Sequence, residues 1–175
     1  MARFDDCLAF TLDEEGGYSN NELDHGGATN FGVTQLVYDT YRRRHDSPQQ
    51  PVTFITRDEA AQLYQEDYWT PIHGDALGAP VDLCVFDLAV NSGVGRAIQL
   101  LQAAVDVDVD GGLGPVTLAA VSAQPPLTVA AAVCAQREAF MRGIVERNPS
   151  QAIFLHGWLN RVNALRKAAG LPVGD

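Results

Sequence analysis

The stretch from Val81 to Asn91, Val-Asp-Leu-Cys-Val-Phe-Asp-Leu-Ala-Val-Asn, constrains the fold of this chain more than any other. It is apolar nearly all round a helix, and Ser92-Gly93 ends it. A helix that is hydrophobic on every side needs cover on every side, so it is expected at the centre of a helical domain. The flanking segments supply such cover. Helical spacing predicts a helix over about 94–105, a short one starting at Gly114-Pro115, and two long ones over about 127–147 and 149–169.

The amino-terminal half is read in the same way. At 100° per residue, Phe4, Cys7, Leu8, Thr11 and Leu12 fall on one arc of a helix that Gly16-Gly17 stops. Thr34 can cap a helix running to about His45, which Asp46-Ser47-Pro48-Gln49-Gln50-Pro51 breaks. Thr56-Arg57-Asp58-Glu59 is a capping box opening a helix with Ala60, Leu63, Tyr64 and Tyr68 on its apolar face. Between these helices, residues 18–32 are rich in glycine, asparagine and aspartate and lack apolar periodicity, so they are expected as an irregular loop or a short hairpin. The class is mostly α.

Composition excludes several functions. No apolar run approaches the ~18 residues of a membrane span, so membrane insertion is not expected. A net charge of -10 argues against sequence-independent binding to nucleic acid. Cys7, Cys84 and Cys134 are far apart and odd in number, so they are expected as buried thiols. His25, His45, His73 and His156 show no ligand spacing, and neither a metal nor a cofactor is expected. Asp106-Val107-Asp108-Val109-Asp110-Gly111 fits the start of a calcium loop, but position twelve is Thr117 instead of glutamate, which favours an acidic turn. The amino terminus carries Asp5 and Asp6 where a signal peptide needs basic residues followed by an apolar run, so the chain is expected to be made without a cleaved signal.

Candidate chemistry gathers at the first helix end. Glu15 falls in the middle of the apolar arc, Glu14 at its edge. An apolar surround, the negative end of the helix dipole and the like charge of Glu14 each disfavour the ionised form of Glu15. A carboxyl kept protonated in this way can donate a proton to a leaving oxygen. Asp24 follows nine residues later in a second glycine-rich turn, and Thr29 adds a hydroxyl to the same loop. A second carboxylate facing the first could orient an attacking water. The competing reading is that acids beside glycines form turns and caps. Asp87, inside the apolar helix, is expected as a buried structural acid, whereas Asn91 sits at that helix's end, free either to bind sugar or to cap the turn. Of the aromatic side chains suited to sugar stacking, Tyr18, Phe31, Trp69 and Trp158, the one beside Glu15 is the best placed, and Trp158 is expected in the core.

The runs Glu15-Gly16-Gly17-Tyr18, Asp24-His25-Gly26-Gly27-Ala28-Thr29-Asn30-Phe31-Gly32-Val33-Thr34, Phe86-Asp87-Leu88-Ala89-Val90-Asn91-Ser92-Gly93, Asp110-Gly111-Gly112-Leu113-Gly114-Pro115-Val116-Thr117-Leu118 and Gly157-Trp158-Leu159-Asn160-Arg161-Val162 together resemble glycoside hydrolase family 108. The resemblance implies a lysozyme-like catalytic region over 1–92 and a helical, predicted peptidoglycan-binding region over 93–175. It further implies an N-acetylmuramidase cutting the β-1,4 bond between N-acetylmuramic acid and N-acetylglucosamine, with Glu15 matching the catalytic glutamate and Asp24 and Thr29 its partners. Tyr18, Asn30 and Asn91 are the candidate substrate contacts. Peptidoglycan is then the partner, and the periplasm or cell wall the place of action. An immunity protein is a second partner if the chain is an injected effector and not a phage-type endolysin. A lytic transglycosylase and a non-catalytic wall-binding module are the competing functions.

Overall fold

A computed structural model describes residues 2–15 and 29–173, with side chains in the first stretch from residue 3 to 13. The described chain is mostly helical with one small hairpin, and it divides into two compact units, Met1–Asp67 and Tyr68–Asp175. No single helix among the described residues is long and apolar enough to cross a membrane.

In the first unit, helix α1 (Ala2–Glu15) buries Phe4, Cys7, Leu8 and Thr11, the arc expected from its spacing, whereas Leu12 is half-buried. A two-residue hairpin follows the undescribed segment. Strand β1 (Thr29–Asn30) pairs antiparallel with β2 (Val33–Thr34), Thr29 opposite Thr34 and Asn30 opposite Val33. Its turn residues Phe31 and Gly32 both have positive φ, 51° and 71°, which is the backbone a tight two-residue hairpin turn demands. Thr34 ends β2 and caps α2 (Gln35–Arg44), its hydroxyl accepting from the Val37 amide. The capping box at Thr56 and Glu59 opens α3 (Arg57–Tyr64) as expected.

Long-range polar links tie the elements of this unit together. The Tyr64 hydroxyl donates to the Phe31 carbonyl at 3.0 Å, fixing the hairpin turn against α3. Tyr41 Oη donates to Gln62 Oε1 at 2.8 Å. Glu59 receives Arg42 Nη1 at 2.6 Å and Tyr38 Oη at 3.1 Å, so a single carboxylate both caps α3 and ties it to α2.

The helix expected to continue through Tyr68 widens into one π-helical turn over Gln65–Trp69. The inserted residue rotates the face: Trp69 is 2% exposed and Tyr68 only half-buried. Trp69 is therefore a core residue instead of a sugar platform. Its ring meets Phe86 edge-on at 5.6 Å, and its indole N–H donates to Asp75. Gly74, opening α4 (Gly74–Leu77), lies so close that a Cβ there would stand 2.3 Å from the indole.

The second unit is built around α5 (Val81–Ser92), in which every residue from Val81 to Ala89 is buried. It packs against α6 (Val94–Ala104) and α8 (Pro126–Arg147), and α8 packs in turn against α9 (Ala152–Ala168). Each fully buried large aliphatic or aromatic side chain contributes about 1.5–3 kcal/mol relative to exposure, and α5 alone buries Leu83, Val85, Phe86 and Leu88. Helix α7 (Pro115–Ser122) starts with proline in its first turn.

The acidic loop before α7 is organised by Gln102, 1% exposed at the end of α6. Its Nε2 donates to Asp110 Oδ1 and to the Gly112 carbonyl, and its Oε1 accepts from Gly111 N. Asp110 Oδ1 also accepts from Gly112 N, so this oxygen is committed to holding the turn. The Gln102 amide, then the Gly112 N–H, hold the Asp110 carboxyl below the usual range.

Candidate active site

Helix α1 carries the proposed acid as its last described residue, Glu15. The side chain of Glu15, together with Tyr18 and Asp24, lies outside the described residues.

Thr29 and Asn30 are described, side by side on β1, so they point to opposite faces of the hairpin. Both are half-buried. Asn30 Nδ2 donates to the Thr53 carbonyl at 3.4 Å, which fixes the hairpin to the 3-10 turn Val52–Phe54. Its amide oxygen remains the natural contact for a ligand N–H, so a positioning bond and a substrate contact are compatible in this side chain.

Asn91 belongs to the second unit. It is exposed in the last turn of α5, where its Oδ1 accepts from Ser92 Oγ. With Ser92, Phe140, Met141, Ile144 and Trp158 it lines a recess of about 180 Å³. Amide and hydroxyl groups thus share a recess with aromatic and aliphatic walls, the mixture that receives the polar rim and apolar face of a sugar. Trp158, expected in the core, is half-buried at this recess and stacks with Phe154 at 6.1 Å, 23° between planes.

Asp87 is buried and structural, as its place in an apolar helix suggested, but its partners are charges from two other helices. Arg137 Nη1 on α8 donates to Oδ2 at 2.6 Å, and Arg161 on α9 donates through Nη2 to Oδ1 at 2.7 Å and through Nε to Oδ2 at 3.2 Å. Burial alone would raise the Asp87 carboxyl. The Arg161 hydrogen bonds and both guanidinium charges outweigh it and hold the group ionised, below the usual carboxylate range. Arg137 is itself fully buried, and its Nε and Nη2 find no acceptor among the described residues. The sequence signal for this pairing is Arg137 itself, on the face of α8 that buries Val129, Ala130, Val133, Cys134 and Met141.

Comparison with known proteins adds the identity of the fold. Residues 8–93 match the model of glycosyl hydrolase family 108, and residues 96–163 match that of a predicted peptidoglycan domain. Among solved structures, SagA of Brucella abortus is similar over 96% of this chain and 94% of its own, at 33% identity and a TM-score of 0.80. No curated protein matches. The mostly helical, lysozyme-like class with a small hairpin follows from the same likeness. With both family regions present in order, and a relative matched along nearly its whole length, the chain belongs to glycosyl hydrolase family 108 and is a peptidoglycan hydrolase.

Proposed function

We propose that the enzyme is an N-acetylmuramidase, cutting the β-1,4 bond between N-acetylmuramic acid and N-acetylglucosamine by single displacement. Glu15 protonates the bridging oxygen, while Asp24 and Thr29 orient water on the opposite face of the sugar. Tyr18, Asn30 and Asn91 contact the substrate. Residues 1–92 form the catalytic region and 93–175 the wall-binding region.

The observation that carries this reading is α1: with Phe4, Cys7, Leu8 and Thr11 buried along one arc, position 15 follows Thr11 by four and Leu8 by seven in a continuous helix. On a continuous helix that spacing sets position 15 in line with the arc, which supports it over position 14 as the acid. The recess beside Asn91 supports a sugar contact in the second unit. The net charge of -10 gives a lysin no electrostatic steering to an anionic wall, which favours an effector delivered to its target and restrained by an immunity protein over a free endolysin.

Digestion of purified peptidoglycan tests the chemistry. Products reduced with borohydride and resolved by mass spectrometry are expected to end in muramitol, the mark of a hydrolysed muramyl bond. Glucosaminitol ends would shift the bond assignment, and 1,6-anhydro ends would make the enzyme a lytic transglycosylase. Glu15→Gln is expected to lower the rate by about 10²–10⁴-fold with the fold intact; wild-type activity in that variant removes Glu15 from the mechanism.

A further inference from the structure

Cys84 and Cys134 are fifty residues apart in sequence, on α5 and α8, which pack directly on each other. Their Sγ atoms stand 3.9 Å apart and both residues are fully buried. A sulfur–sulfur bond is about 2.05 Å long, so the gap is one that side-chain rotation with a small helix adjustment closes. Cys84 falls in the stretch matching family 108, and Cys134 in the stretch matching the peptidoglycan domain.

We infer that Cys84 and Cys134 form a disulfide when the chain folds in an oxidising compartment, and that this bond staples the two family regions to each other. The inference rests on the peptidoglycan reading in one respect: that substrate places the working protein in the periplasm or cell wall, where disulfides form and persist. Made in a reducing cytosol, the same two residues stay free thiols, as they are in this structure.

The oxidant is a disulfide, carried by a thiol oxidoreductase or by glutathione disulfide. The thiolate of one of the two cysteines attacks one sulfur of that disulfide and expels the other as thiolate, leaving a mixed disulfide. The second cysteine, deprotonated by the expelled thiolate, then attacks the protein sulfur of the mixed disulfide and expels the remaining oxidant thiolate. Two protein thiols and one oxidant disulfide become one protein disulfide and two oxidant thiols. Because both sulfurs are out of reach once folded, the exchange takes place during folding. Cys7, on α1, takes no part.

The test is to unfold the full chain under reduction and refold it in a glutathione and glutathione disulfide buffer, followed by alkylation and peptide mapping. The expected result is a single alkylated thiol, at Cys7, and a cross-linked peptide pair carrying Cys84 and Cys134, lighter by two hydrogens. The oxidised protein should melt on the order of 10 °C higher than the reduced one, and Cys134→Ala should abolish that shift. Three alkylated thiols after refolding, or a bond involving Cys7, would overturn the inference. Neither readout uses wall cleavage, so an inactive protein with the Cys84–Cys134 bond sinks the muramidase assignment alone, and an active one with three thiols sinks the staple alone.

Discussion

Each unit of this protein contains a carboxylate that joins helices through arginine, and the two knots differ in exposure. In the first unit Glu59 meets Arg42 through Oε1, with their side chains 25% and 13% exposed, and its Oε2 accepts from Tyr38 and from the Thr56 backbone. In the second, Asp87 meets Arg137 with both side chains 0% exposed, and Arg161 closes the other side. A wet knot can exchange any lost partner for water. A dry one cannot, so the second should be far more sensitive to the loss of one member and less sensitive to salt.

Acid breaks both knots together and should have the largest effect. Burial alone would raise Glu59, but the Thr56 amide, the Tyr38 and Thr56 hydroxyls and the Arg42 charge bring it below the usual range, as the arginines do for Asp87. A depressed folded-state pKa gives stability that is present above the unfolded value, about pH 4, and is lost as pH falls through the folded one. Calorimetric melting should therefore fall most steeply below about pH 4; a flat Tm from about pH 5 to pH 2 would mean that neither knot holds the fold.

Next in size is Asp87→Ala, which leaves Arg137 buried without its counter-charge and should cost about 3–5 kcal/mol in urea unfolding. Arg137→Met separates charge pairing from packing. Asp87 keeps bonds from Arg161 to both oxygens, and two buried nitrogens lacking acceptors among the described residues are removed, so the cost should stay below about 2 kcal/mol. Equal losses from Asp87→Ala and Arg137→Met would show that the buried acid and Arg137 act only as a pair. Glu59→Ala should be the mildest, about 1 kcal/mol, mostly from the capping box, with α3 fraying first in hydrogen exchange.

What could be read without coordinates follows the range of the interactions. The Thr34 cap, the Thr56 capping box and the α1 arc are set by residues within four positions of one another, and all three appear where spacing puts them. The all-round apolar stretch placed α5 at a core for the same reason. The π-helical turn at Gln65–Trp69 was not legible, because it trades Tyr68 for Trp69 in response to tertiary packing and not to local preference. The partners of Asp87 lie 50 and 74 residues away, and sequence marks only that such an acid needs some partner. At the candidate site, Glu15 and Asp24 rest on residue chemistry and the family likeness, and of the proposed catalytic residues only Thr29 has a described side chain, half-buried on β1.

The position of α5 also limits how this protein can be taken apart. It closes the family 108 stretch in sequence, yet its cover comes from α6 and α8, which belong to the peptidoglycan-domain stretch. A fragment ending near residue 93 would carry a helix of Leu83, Val85, Phe86 and Leu88 stripped of its neighbours, an aggregation-prone surface. The lineage of such a chain is thus constrained against shuffling: a new wall-binding module cannot be exchanged at that seam unless it also brings a replacement for the sheath around α5.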